Sequence, residues 1–121
     1  MYSQKVKTTL AQAEELYFQA KEELYRPEED VVAYSVCRNS FKSVNKYLTA
    51  YLLHHGVDIY ASMSLEVLIG LCQEVDAAFK DLNLSPLYHT DDREDVWCKM
   101  STVNEYIRLA TETRERVKTI Q

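Results

Sequence analysis

Two glycines and two prolines in 121 residues leave few places where the chain can turn sharply. Glycine supplies the positive φ of most hairpin turns and proline presets others, so a β-sandwich or barrel of this length would need many more of both. A few long elements with few connections are what remains. Hydrophobic residues at 46% and charged residues at 27% are ordinary globular values, which argues against wholesale disorder. The length suits one core, and the chain reads as a single domain over 1–121.

Apolar residues recur at helical spacing in four segments. In the first, from Ser3 to Tyr25, the residues Val6, Leu10, Ala13, Tyr17, Ala20 and Leu24 share one helix face. Pro27 ends it, because the residue before a proline is pushed out of helical geometry. The second segment runs from Pro27 to His55, about 42 Å long at ~1.5 Å per residue. Its stripe is Tyr34, Cys37, Phe41, Val44, Leu48 and Tyr51, its first turn is acidic, and Gly56 is its stop. The third begins with Ser62 or Ser64 as cap and carries Leu65, Leu68, Cys72, Val75, Phe79 and Leu82. Gly70 inside it signals either a closely approaching neighbour helix or a tolerated surface glycine. The fourth starts near Asp92–Asp95 and runs to Lys118, with Val96, Met100, Val103, Ile107, Ala110 and Val117 inward, and its polar run 111–116 is expected to fray. The first two connections are short, so neighbours run antiparallel. The expectation is an all-α, up-and-down antiparallel four-helix bundle, with room for a fifth short helix.

Composition removes several function classes. The net charge of −5 lacks the basic excess of a DNA binder, although a local basic strip is still compatible with a nucleotide or RNA. Cys37, Cys72 and Cys98 are odd in number, widely spaced and without a CxxC pair, so neither a disulfide framework nor a zinc knuckle is expected. They read as small buried hydrophobes. No apolar run reaches membrane-spanning length and no secretory signal is apparent, which points to a cytoplasmic protein away from membranes. No Glu stands three residues before His54, His55 or His89, so ferritin-like di-iron chemistry is excluded. His54 and His55 suit a helix C-terminus. No metal and no cofactor is expected, and two isolated glycines cannot build a phosphate loop.

Two sets of residues remain as site candidates. Arg38, Lys42 and Asn45 follow i, i+4, i+7 on the second helix, with Lys46 beside them. They flank the apolar stripe, where they either line a groove able to hold an anion or form a solvated edge with stems over the core. The long third connection, from Asn83 to Asp91, places Tyr88 and His89 near Arg93 as a possible loop site. Of the nine tyrosines, Tyr17, Tyr34, Tyr51 and Tyr106 fall at or near core stripes, where a buried ring with its hydroxyl at the edge is the expected arrangement.

The stretch Ser35-Val36-Cys37-Arg38-Asn39-Ser40-Phe41-Lys42-Ser43-Val44-Asn45-Lys46-Tyr47-Leu48-Thr49-Ala50-Tyr51-Leu52-Leu53 resembles the central helix of HEPN (higher eukaryotes and prokaryotes nucleotide-binding) domains. Ser64-Leu65-Glu66-Val67-Leu68-Ile69 resembles the start of the helix that follows, and the likeness extends from Leu10 to Val117. The resemblance implies a four- or five-helix bundle, commonly a homodimer. Family members serve as ribonucleases in defence and toxin–antitoxin systems, bind nucleotides, or accompany a minimal nucleotidyltransferase. The ribonuclease motif, Arg followed after four to six residues by His, is absent: Ser43, Val44 and Asn45 stand after Arg38, and Ser64 occupies the place where relatives have His. Without an imidazole the metal-free cleavage loses its general acid–base. The expectation is thus a non-catalytic module that binds a nucleotide or a partner protein. The alternatives are a divergent ribonuclease using His89 and Arg93, and a purely structural interaction bundle.

Overall fold

A computed structural model describes residues 3–59, 63–88 and 100–120. The protein is an all-α antiparallel four-helix bundle, with α1 Gln4–Leu24, α2 Ala33–His54, α3 Leu65–Val75 and α4 Met100–Ile120. No strand occurs among the described residues. Among the described residues the remaining helical elements are short 3₁₀ turns at Glu28–Asp30, Ala77–Asp81 and Ser85–Leu87.

α1 starts where its cap dictates: the Ser3 hydroxyl accepts from the Val6 N–H at 3.2 Å. Val6, Ala13, Tyr17 and Ala20 are buried as the spacing predicts, while Leu10 and Leu24 lie half-buried at its margin. Ser64 caps α3 in the same way, its hydroxyl 3.3 Å from the Val67 N–H. α2 ends in a Schellman arrangement, in which Gly56 N–H donates to Leu53 C=O and Val57 N–H to Leu52 C=O, with Gly56 at φ 77°.

Three boundaries differ from expectation, each for a local reason. α2 does not begin at Pro27. The acidic turn closes on itself, with Asp30 N–H donating to Pro27 C=O at 2.8 Å, and Val32 is extended at φ −92°, ψ 94°. Glu23 of α1 holds that break open by accepting the Val32 N–H on its carboxylate at 3.1 Å. The 22-residue helix is therefore ~33 Å long, not about 42 Å. Tyr34 sits in its first turn with 46% of its surface exposed, so it is not core.

α3 stops at Val75, not at Leu82. Asp76 leaves helical geometry, at φ −147°, ψ 123°, and its carboxylate accepts the Ala78 N–H at 2.9 Å. This side-chain bond replaces continuation of the helix with a new turn. Val75 is consequently exposed, whereas Phe79 and Leu82 reach the core from the 3₁₀ segment and beyond it. Gly70 has no close neighbour, since a Cβ built there meets nothing within 4 Å. It is half-buried, and no packed helix among the described residues requires a glycine there.

The segment after Leu82 is a plug more than a loop: Leu84 and Leu87 are fully buried and Asn83 accepts the Ser85 N–H at 3.1 Å. α4 is continuous to Ile120, through the run 111–116 expected to fray. It also buries Tyr106, Leu109 and Thr113, which the predicted stripe omitted. The expected acidic start at Asp92–Asp95, together with Val96 and Cys98, lies outside the described residues.

α2 is the hub. It packs against α1, α3 and α4 and buries two adjacent stripes. One is Cys37, Val44, Leu48 and Tyr51. The other is Val36, Ser40, Ser43, Tyr47 and Ala50, at helical spacing of 4, 3, 4 and 3. The most extensive pairing is α1 with α2, while α1 and α4 approach each other over a short stretch only.

Candidate functional site

The basic strip of α2 divides in two. Arg38 folds back on its own helix: its Nη1 donates to the Tyr34 hydroxyl at 2.9 Å, and the guanidinium stands 5.8 Å from that ring's centroid. Lys42, Asn45 and Lys46 instead form one wall of a groove of about 500 Å³ between α1 and α2. The facing wall is Gln12, Glu15, Leu16 and Gln19 of α1. Helical periodicity explains why these α2 residues gather there: positions four apart lie about 5–6 Å apart on one face.

The electrostatics of the groove are uneven. Glu15 is the one carboxylate among the lining residues, and it accepts from the Gln19 amide nitrogen at 3.3 Å. Neither Lys42 nor Lys46 makes an ion pair among the described residues. Asn45 lines the same wall as the lysines, and its Oδ1 is buried without a hydrogen-bond partner among the described residues. An unsatisfied buried acceptor costs on the order of 1–3 kcal/mol. Beyond Gln19 the same α1–α2 seam continues into a second hollow of about 300 Å³ lined by Glu22, Glu23, Arg26, Ser35 and Asn39. There Arg26 is 3.8 Å from Glu23.

A second cluster was missed by sequence reasoning. Glu14 of α1 receives the Arg114 guanidinium at 3.1–3.3 Å, the Lys118 ammonium at 2.9 Å and the Tyr47 hydroxyl at 3.0 Å. Arg114 lies 5.3 Å from the Tyr17 ring centroid and 5.2 Å from that of Phe18. Tyr17 in turn hydrogen-bonds Thr111 at 2.8 Å. Burial alone would raise the pKa of Glu14, but the hydrogen bonds from Lys118, Arg114 and Tyr47 outweigh it and hold the carboxyl below its ordinary value. Burial first, then the negative charge of Glu14, raises the Tyr47 phenol. Partners separated by 33 and by 100 positions carry no local signal, so nothing in the sequence pairs Glu14 with Tyr47 or Arg114. Every member is satisfied within the cluster, which makes it a clamp joining α1, α2 and α4.

The other candidates bring no chemistry together among the described residues. Tyr88 is half-buried, and burial together with the charge of Glu66 raises its phenol pKa. His89 and Arg93 lie outside the described residues. His54 and His55 meet edge to face at 5.1 Å at the end of α2, and the His55 ring is 4.4 Å from that of Tyr51. No group of three metal-ligating side chains exists among the described residues. Burial pushes the thiols of Cys37 and Cys72 up to about 12, as inert core groups. No described helix is long and apolar enough to cross a membrane. No family model, no curated protein and no solved structure matches the chain.

Proposed function

We propose that this protein is a non-catalytic, HEPN-like binding module that takes an anionic ligand, of nucleotide size, in the groove between α1 and α2. The observation that carries this is the pair Lys42 and Lys46: two ammonium groups on one groove wall, unpaired in a chain with net charge −5. In an acidic protein, carboxylates are abundant enough to neutralise exposed lysines. Two lysines left beside a concave surface of this volume fit a ligand that brings its own negative charge. The Asn45 amide, on the same wall, adds a neutral hydrogen-bonding group. Arg38 belongs outside this site, being bonded to Tyr34.

The test is a thermal-shift series with mono- and trinucleotides, with and without Mg²⁺, on the wild type and the double variant Lys42→Ala/Lys46→Ala. A ligand at 100 times its dissociation constant adds about 2.7 kcal/mol, a shift of several degrees for a domain of this size. A shift in the wild type and none in the variant is the expected outcome. Indifference to all ligands would end the proposal and move the role to protein recognition. In that setting the chain acts as a homodimer or beside a nucleotidyltransferase-like partner, and the exposed Val67 and Val75 on the outer face of α3 are the apolar contacts it would offer.

A further inference from the structure

We infer that the groove selects a ligand with a single phosphate on a hydroxyl-bearing carrier, a phosphomonoester of a small sugar, and discriminates against triphosphates. This inference rests on the binding role proposed above and narrows its ligand class.

Charge count comes first. A phosphomonoester carries about −1.5 to −2 at neutral pH, and the groove offers it two unpaired ammonium groups one helical turn apart, Lys42 and Lys46. No third cation lines the groove among the described residues, because Arg38 is bonded to Tyr34 and Arg26 stands in the next hollow beside Glu23. A polyphosphate extending along the seam would leave the lysines and meet Glu22 and Glu23. Across the groove it would face the carboxylate of Glu15. Like charges repel, and the more strongly at low salt.

The two walls also differ in hydrogen-bond sense. The α2 wall presents donors, the two ammonium groups of Lys42 and Lys46, with the Asn45 amide beside them. The α1 wall has acceptors to spare. Gln19 spends an N–H on one carboxylate oxygen of Glu15, which leaves the second carboxylate oxygen and the Gln19 carbonyl without a partner among the described residues. A carboxylate is an acceptor only, so what it seeks from a ligand is O–H or N–H. Anion on one side and hydroxyls on the other is the chemistry of a sugar phosphate, with Leu16 supplying an apolar surface between.

The experiment is isothermal titration calorimetry of the full chain with ribose 5-phosphate, inorganic phosphate, ribose and ATP, without metal. Ribose 5-phosphate is expected to bind at least tenfold tighter than inorganic phosphate or ATP, and ribose not to bind. Glu15→Gln is expected to weaken ribose 5-phosphate several-fold and to strengthen ATP, closing the gap between them. Lys42→Ala/Lys46→Ala is expected to abolish every signal while the melting temperature stays that of the wild type. If ATP binds as tightly as ribose 5-phosphate, and both depend on the two lysines, the single-phosphate selection is wrong and the anion-binding role stands. If none of the four binds, both fall.

Discussion

The seam between α1 and α4 and the groove between α1 and α2 are built from the same kinds of side chain and use them in opposite ways. In the seam, one carboxylate, Glu14, collects two cations and a phenol from two other helices. In the groove, two cations form no ion pair among the described residues, and Glu15 on the facing wall is bonded to an amide of its own helix. α1 and α4 share little packed surface, so polar cross-links carry much of what joins them. α1 and α2 are joined over a much more extensive contact. Charge that holds the fold is cross-linked between helices. Charge that is spared from the fold is what a ligand can use.

Breaking the seam should have the largest effect. Glu14→Ala leaves Arg114, Lys118 and Tyr47 without their shared acceptor. Each is partly open to water, which moderates the loss, and an unfolding free energy lower by about 1–3 kcal/mol is expected in urea titration. pH sharpens the same point. The Glu14 carboxyl has a folded pKa below its ordinary 4.5. Its contribution is therefore fully present above that value and is lost as pH falls through the lower, folded pKa. Glu14→Gln should flatten the part of the acid stability profile below about pH 4.5 that belongs to this residue. A variant with an unchanged acid limb would mean that the clamp does not hold the seam.

Next in size come the two glycines, which lie outside both regions, Gly56 after the end of α2 and Gly70 in α3. Gly56 at φ 77° ends α2, and Gly56→Ala should destabilise by about 1 kcal/mol, because an L side chain resists that conformation. Gly70 lies within α3 with open space around it, so Gly70→Ala should stabilise by about 0.5–1 kcal/mol. Opposite signs in thermal melts are the expected result. Loss of stability at Gly70 would show that its surroundings are closer than the structure has them.

What could be read in the sequence follows the range of the interactions involved. The cap Ser64, one of the two serines offered for α3, and the stop at Gly56 act within a few residues, and each stands where the pattern placed it; Ser3, the expected start of the first segment, caps α1. The stripe of α1 was legible for the same reason. The true start of α2 was not, because the Val32 N–H is held by Glu23 from the preceding helix. The end of α3 was legible in principle, in an aspartate able to bond the backbone two residues on, but Phe79 and Leu82 kept the apolar period going past it. At the candidate site, periodicity brought Lys42, Asn45 and Lys46 to one edge of α2. It had no means to show that Arg38 turns back to Tyr34, or that α1 supplies the opposite wall. The clamp around Glu14 was beyond reach, since it joins three helices across 100 positions.

Asn45 gives a smaller effect than the glycines. Removing its amide also removes an orphaned acceptor, so Asn45→Ala should leave stability unchanged or raise it by up to about 1 kcal/mol, while ligand affinity falls. A clear destabilisation would mean that the side chain serves packing, and that the groove's edge is structural.

The smallest effect on stability carries the most weight. Lys42 and Lys46 are exposed and form no ion pair among the described residues, so each alanine variant should lie within about ±0.5 kcal/mol of the wild type. In an acidic chain, removing a positive charge slightly worsens the overall repulsion, and that alone predicts a small loss at low salt that disappears as salt is added. A larger, salt-independent loss would mean that the lysine stems cover the core, and the groove would then be an edge of the fold like any other. A neutral result separates the two regions cleanly. Glu14 would be a residue that the bundle cannot spare, whereas the two lysines would be residues whose only measurable loss is in the affinity for a phosphate.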